Sequence, residues 1–181
     1  MFFTNFLRKN VWAAAVLTVL RVYVGWHFLT AGWDKLTGGF SANGFLANAV
    51  KNPVMQAHSK TALQYPVYHS FLQHFALPNA GLFNFIVPWG EFLVGIGLIT
   101  GVLTTAAMFF GLVMNFSYMM AGVVSVNPLL VLLGIFVIVA GFNAGKFGGD
   151  YWVIPYVRKG CARLFKLEVE LPGSNRNKAS H

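Results

Sequence analysis

The chain has 181 residues, of which 56% are hydrophobic and only 10% charged, with a mean hydropathy of +0.61. A water-soluble domain carries about 25% charged residues, so the composition excludes an ordinary soluble enzyme and reads as a single integral membrane domain. The formal charge of +8, from 13 Lys and Arg against 5 Asp and Glu, flanks the apolar runs, which points to membrane orientation and away from nucleic acid.

The first apolar run, 11–33, follows Arg8 and Lys9 and exceeds the roughly 20 residues a spanning helix needs. Arg21 interrupts it and no small-residue cleavage site follows, so a retained span is expected in place of a signal peptide. The connection 36–81 is long. Within it, Ser41 precedes a mildly apolar segment at 44–50, and Val67, Tyr68, Phe71, Leu72 and Phe75 recur at helical spacing between Pro66 and Pro78. Two short helices lying on the bundle mouth are expected there. Further spans are expected at 82–103, 104–124 and 126–145, joined by connections so short that neighbours must run antiparallel.

The predicted fold is an all-α membrane protein, an antiparallel four-transmembrane-helix bundle occupying residues 1–157 with an outer loop at 36–81. An even number of crossings places both termini on one side. Arg8, Lys9, Lys146, Arg158, Lys159, Arg163, Lys166, Arg176 and Lys178 gather there, against Lys35, Lys51 and Lys60 on the other, so both termini are expected to be cytoplasmic. Trp152, Ile154, Tyr156 and Val157 lead into residues 158–181, which read as a basic juxtamembrane segment and polar tail.

Candidate chemistry centres on charges inside the apolar runs. Arg21, Gly25, Phe28, Gly32 and Lys35 follow one another at offsets of four, three, four and three, and so share one helical face. Glu91, Gly95 and Leu98 form a matching face on the second span. A charge at the bilayer centre costs about 2.5–3.5 kcal/mol, so Arg21 and Glu91 are expected to face each other or a polar cavity. Counting from Trp33 and Leu82 at about 1.5 Å per residue puts both roughly 14–18 Å below the outer boundary. Two readings stand: an ion pair that fixes helix register, or a pocket in which Arg21 holds an anionic or carbonyl group and Glu91 accepts or relays protons.

His27 and Asp34, seven residues apart, are candidates for proton exchange toward the outside, although a helix histidine is commonly just packed. Trp89, beside the glutamate, is a candidate for stacking on a flat ring, and Asn115 needs a partner in mid-span. No metal site is expected, because His69 and His74 lie off a common face and His58 lies in irregular chain. Haem held by two histidines is excluded by the single intramembrane histidine, His27. Cys161 is the lone cysteine and allows no intramolecular disulfide.

The order and spacing of Arg21, Gly25, Phe28, Gly32, Lys35 and Leu36, then Gly90, Glu91, Gly95, Gly97, Leu98 and Gly101, then Gly145, Lys146 and Asp150 resemble the DoxX family over about residues 20–150. Relatives of that family include DoxD, the small membrane subunit of thiosulfate:quinone oxidoreductase. The chain departs from the family pattern in having Gly148, Gly149 and Asp150 where Ser-Leu-Asp is common, and in its long outer loop. The resemblance implies a multi-pass protein of the bacterial cell membrane, a subunit of a quinone-linked oxidoreductase in sulfur or redox-stress metabolism.

Combined with the charged faces, this resemblance implies a catalytic set of Arg21, Glu91, His27 and Asp34. The corresponding cofactor set, for a quinone or an anionic donor such as thiosulfate, is Arg21, Lys35, Trp89, Glu91, Asn115 and Asp150, with no metal or haem. The expected partners are the lipid bilayer and a soluble redox enzyme, met through the basic face or the outer loop. Glycine faces allow a homodimer or packing within one bundle. The alternative is a non-enzymatic membrane scaffold or assembly factor for a partner redox enzyme.

Overall fold

A computed structural model describes residues 2–59 and 61–165, with side chains described to residue 161. Lys60, Lys166, Arg176, Lys178 and the polar tail lie outside the described residues. Among those described, the regular structure is helical apart from one isolated bridge between Met55 and Leu63.

The chain opens with a short amphipathic helix, α1 (Phe2–Lys9), followed by α2 (Val11–Thr37). Asn10 marks the break between them. Its Oδ1 accepts from the backbone N–H of Trp12 at 2.8 Å and of Ala13 at 3.2 Å, capping donors that have no partner inside α2. Asn143 donates to the carbonyls of Leu7 at 2.7 Å and Asn10 at 2.9 Å, which ties this corner to the far end of the chain.

The main seam is between α2 and α5 (Ala80–Thr100). A Cβ on Gly95 would lie 2.5 Å from the Leu29 nitrogen, and one on Gly32 would lie 2.5 Å from the Phe92 nitrogen. Glycine at both positions lets the two backbones approach as close-packed membrane helices do. The stripe from Arg21 through Gly25, Phe28 and Gly32 is buried along this seam. In the most apolar 18-residue windows of α2 and α5, only 39% and 28% of positions are buried. Their apolar side chains therefore face outward, which suits lipid and would be costly in water.

α6 (Thr104–Met120) and α7 (Asn127–Ala140) complete the main body. The expected span 126–145 is not one helix. It stops at Gly141, with φ 57° and ψ −128°, a backbone conformation that side chains rarely adopt, and resumes as α8 (Phe142–Gly145). At 17 and 14 residues, α6 and α7 are about 26 and 21 Å long. Among the described residues, the two helices with both the length and the hydropathy to cross a bilayer are α2 and α5.

The long connection folds into α3 (Ala42–Lys51), α4 (Pro66–Phe71) and a π-helical turn (Leu72–Ala76). Ala42, Leu46, Ala49, Leu72 and Ala76 pack with Ala121, so this layer covers the end of α6. The Tyr68 hydroxyl donates to the Ser117 carbonyl at 2.8 Å, and Asn84 accepts from the Ala42 amide at 2.6 Å. Among the described residues, the last element is α9 (Asp150–Phe165).

Candidate functional site

The glycine seam sets a register that separates Arg21 from Glu91. Gly25 faces Leu98 and Gly95, while Gly32 faces Phe92 and Pro88. Glu91 therefore lies near Lys35 and Arg21 near the end of α5, and Lys35 is fourteen residues from Arg21, a rise of about 21 Å along α2. The expected Arg21–Glu91 pocket does not form. Counting from Trp33 and Leu82 misaligns the helices because Trp33 packs on Phe92, at 6.1 Å between rings, and not at the start of α5. The first turns of α5 are taken up by the α3 layer, against which Ala80 and Phe83 pack.

At one end, Lys35 Nζ lies 2.7 Å from Glu91 Oε2, and Tyr118 donates its hydroxyl to Glu91 Oε1 at 2.7 Å. The carboxylate side chain is 3% exposed and that of Lys35 is 27% exposed, so the ammonium links a buried acid to the surroundings. Lys35 also donates to the Ala31 carbonyl at 3.4 Å and lies 5.8 Å from the Phe40 ring centroid. An ammonium has three donors, and these two oxygens use two of them. A charged carboxylate held by two charge-assisted bonds is strongly anchored.

At the other end, Arg21 is buried and donates to carbonyls at the C-terminus of α5. Nη1 reaches Leu98 at 2.5 Å and Ile99 at 3.1 Å, and Nη2 reaches the Phe147 carbonyl at 3.4 Å. Terminal carbonyls of a helix lack intrahelical donors and carry the negative end of its dipole, so the guanidinium answers both needs. Gly101 ends α5 at φ +68°, where a Cβ would come within 2.5 Å of Arg21 Nη1, and a Cβ on Gly148 would come within 2.8 Å of Nη2.

The Asp150 carboxylate is close enough to act on Arg21 electrostatically. Its Oδ2 accepts from the Thr104 amide at 3.1 Å, capping the start of α6 from a distant part of the sequence. Gly149 and Asp150 donate their amides to the Thr100 and Gly101 carbonyls at 3.0 and 2.6 Å. Arg21 and Asp150 thus clamp the α5–α6 turn between opposite charges. Arg21 Nε, Thr104 Oγ1 and Asp150 Oδ1 are buried without a protein hydrogen-bond partner.

The remaining expected residues are scattered. Asn115 is buried one turn from Tyr118 on the same face of α6, and its Nδ2 has no hydrogen-bond partner. Trp89 is 41% exposed and packs edge-on against Phe92 at 6.0 Å and tilted against Phe85 at 6.1 Å, so it faces outward and not toward a ligand at Glu91. His27 is half-buried against the Tyr23 ring at 4.8 Å, and Asp34 is exposed. Among the described residues, neither is hydrogen-bonded to Glu91 or Arg21.

Tyr118, Thr104 and Asn143 carry site or corner contacts that the sequence reading passes over. Tyr118 did carry a signal, since a phenol three residues after Asn115 in an apolar run needs a partner for its hydroxyl. Among the described residues, no group of three His, Cys, Asp or Glu side chains is placed to hold a metal ion.

The DoxX family model matches residues 16–123, more than half of the chain and including both glycine faces, Arg21, Lys35, Glu91 and Tyr118. Neither the curated proteins nor the solved structures gave a match.

Proposed function

The chain belongs to the DoxX family, and on that premise we propose that it is a four-span membrane subunit of a quinone-linked oxidoreductase, with Lys35, Glu91 and Tyr118 as its proton-exchanging site. Family membership links it to membrane redox and sulfur metabolism in general. The observation that carries the reading is the Glu91 carboxylate, buried in an apolar helix yet connected outward through the partly exposed Lys35. Intramembrane ionisable groups are costly and are retained chiefly where they act.

The residues fit a quinone or a small anionic donor. Lys35 has a donor beyond those used by Glu91 and Ala31, suited to a carbonyl or an anionic oxygen. A bound quinone would supply a two-electron, two-proton acceptor. Glu91 takes up or releases a proton at Oε1 or Oε2, Tyr118 holds the carboxylate in place, and Lys35 balances its charge. Arg21 belongs to the clamp at the other end and acts on helix geometry.

The test is quinone reduction by membrane vesicles supplied with thiosulfate. Glu91→Gln is expected to lower the rate by about 10²-fold, the lower range for a lost acid–base group, with the protein still present in the membrane. Wild-type rates in that variant would overturn the assignment. The exposed basic residues Arg158 and Lys159 favour a scaffold as the second reading. It takes over if Glu91→Gln retains full activity and gentle detergent extraction recovers a soluble redox enzyme that Arg158→Gln/Lys159→Gln does not retain.

A further inference from the structure

Between α6, α7 and α9 lies an open groove of about 430 Å³, lined by Leu103, Ala106, Phe109, Phe110, Ile138 and Ile154, with Thr105 at its wall. It lies at the end of the molecule where α9 is tethered to the α5–α6 turn by Gly149 and Asp150. Phe109 and Phe110 are 55% and 59% exposed, so the groove opens toward the surroundings and not into the Arg21 clamp. Its walls suit an acyl chain.

The helix that forms one wall also carries exposed aromatic and basic side chains. Tyr151, Trp152 and Tyr156 are exposed along the first turns of α9, the placement of aromatic residues at a membrane–water interface. Arg158 and Lys159 follow and are exposed. Ile154 and Arg158 are four residues apart and lie on one helical face, so the side chain above the groove and the charge beyond it point the same way. Arg8 and Lys9 at the end of α1 add positive charge at this end, whereas Asp150, the acid described there, is buried.

We propose that this groove binds one anionic phospholipid, with an acyl chain between α6, α7 and α9 and the phosphate on Arg158 and Lys159. Charge complementarity selects the occupant, because a zwitterionic lipid would fill the groove equally well but would gain less from two adjacent cations. The inference rests on the membrane placement of the chain and is independent of the Glu91 site.

The test uses the full chain purified in mild detergent and read by native mass spectrometry with phosphatidylglycerol or phosphatidylcholine of identical chains. Wild-type protein should retain phosphatidylglycerol preferentially, and Arg158→Gln/Lys159→Gln should lower that retention by about tenfold. Ala106→Trp, which fills the groove, should lower retention of both lipids. A photoreactive acyl chain on phosphatidylglycerol should label residues 103–110 or Ile154 in the wild-type protein, a readout that does not depend on any variant folding. Equal retention of the two lipids, displacement by free glycerol phosphate at equal concentration, or labelling confined to other helices would overturn the proposal. Quinone reduction is not read, so failure here is distinguishable from failure of the Glu91 assignment.

Discussion

Two glycines with positive φ separate two reasons for lacking a side chain. At Gly101 an added Cβ meets the Arg21 guanidinium, whereas at Gly141 it meets nothing within 4 Å. Gly141→Ala should therefore cost only backbone strain, about 1–3 kcal/mol. Gly101→Ala should cost more than the roughly 1–2 kcal/mol of a left-handed backbone, because the Arg21 guanidinium must also move. Removing the arginine should erase the excess: in an Arg21→Ala background, Gly101→Ala is expected to fall back to the backbone cost alone. Denaturation of the four proteins in detergent measures the difference, and an unchanged Gly101→Ala penalty would show that Arg21 is not what the glycine accommodates. The sequence makes Arg21 conspicuous as a charge in an apolar run, but its partners are backbone carbonyls of Leu98, Ile99 and Phe147. Carbonyls are identical at every position, so no side-chain pattern announces which of them a guanidinium will meet.

At the level of elements, composition and periodicity make the helices legible and leave their relative register hidden. The buried face of α2 is visible in the offsets of Arg21, Gly25, Phe28, Gly32 and Lys35, yet it is compatible with several vertical alignments against α5. The close approach of Gly95 to Leu29 and of Gly32 to Phe92 selects one alignment, and in it Glu91 joins Lys35 and Tyr118. The break at Gly141 is likewise hidden, because an apolar run can contain a single backbone turn without any change in hydropathy.

The α3–α4 layer offers a titration test of how elements are fastened together. Tyr68, on α4, donates to the Ser117 carbonyl on α6, and burial holds its phenol above the ordinary tyrosine range. The folded pKa exceeds the unfolded value of about 10, so the fold favours the protonated phenol. Its contribution is fully present below about pH 10 and is lost as pH rises through the folded value. Tyr68→Phe should be less stable than wild type at neutral pH, and the gap should narrow above about pH 10. Equilibrium unfolding in detergent across that range checks it, and a gap constant with pH would remove Tyr68 as the titrating contact.

Across the whole molecule, α6 starts beside Asp150 and ends beneath the α3 layer, where Ala121 packs and Ser117 accepts from Tyr68. It therefore runs from the Arg21 clamp to the Glu91 site although it is about 26 Å long, slightly short of the roughly 30 Å hydrocarbon core. α7 is shorter still, and α8 extends it only beyond the break at Gly141. Four crossings require the bilayer to thin or the helix ends to draw in their flanking residues, at a modest cost per ångström. The α6–α7 loop decides between four crossings and two. If α6 and α7 both cross, Val124 lies on the same side as Ser59 and opposite Cys161; if only α2 and α5 cross, Val124 shares a side with Cys161. Cys161 is exposed and is the lone cysteine, so the native chain already carries one label. In a Cys161→Ser background, a membrane-impermeant maleimide should label Val124→Cys and Ser59→Cys from outside intact cells, while native Cys161 should react only after permeabilisation. Labelling of Val124→Cys only after permeabilisation would reduce α6 and α7 to a re-entrant pair and leave Tyr118 reaching Glu91 from a helix that does not span.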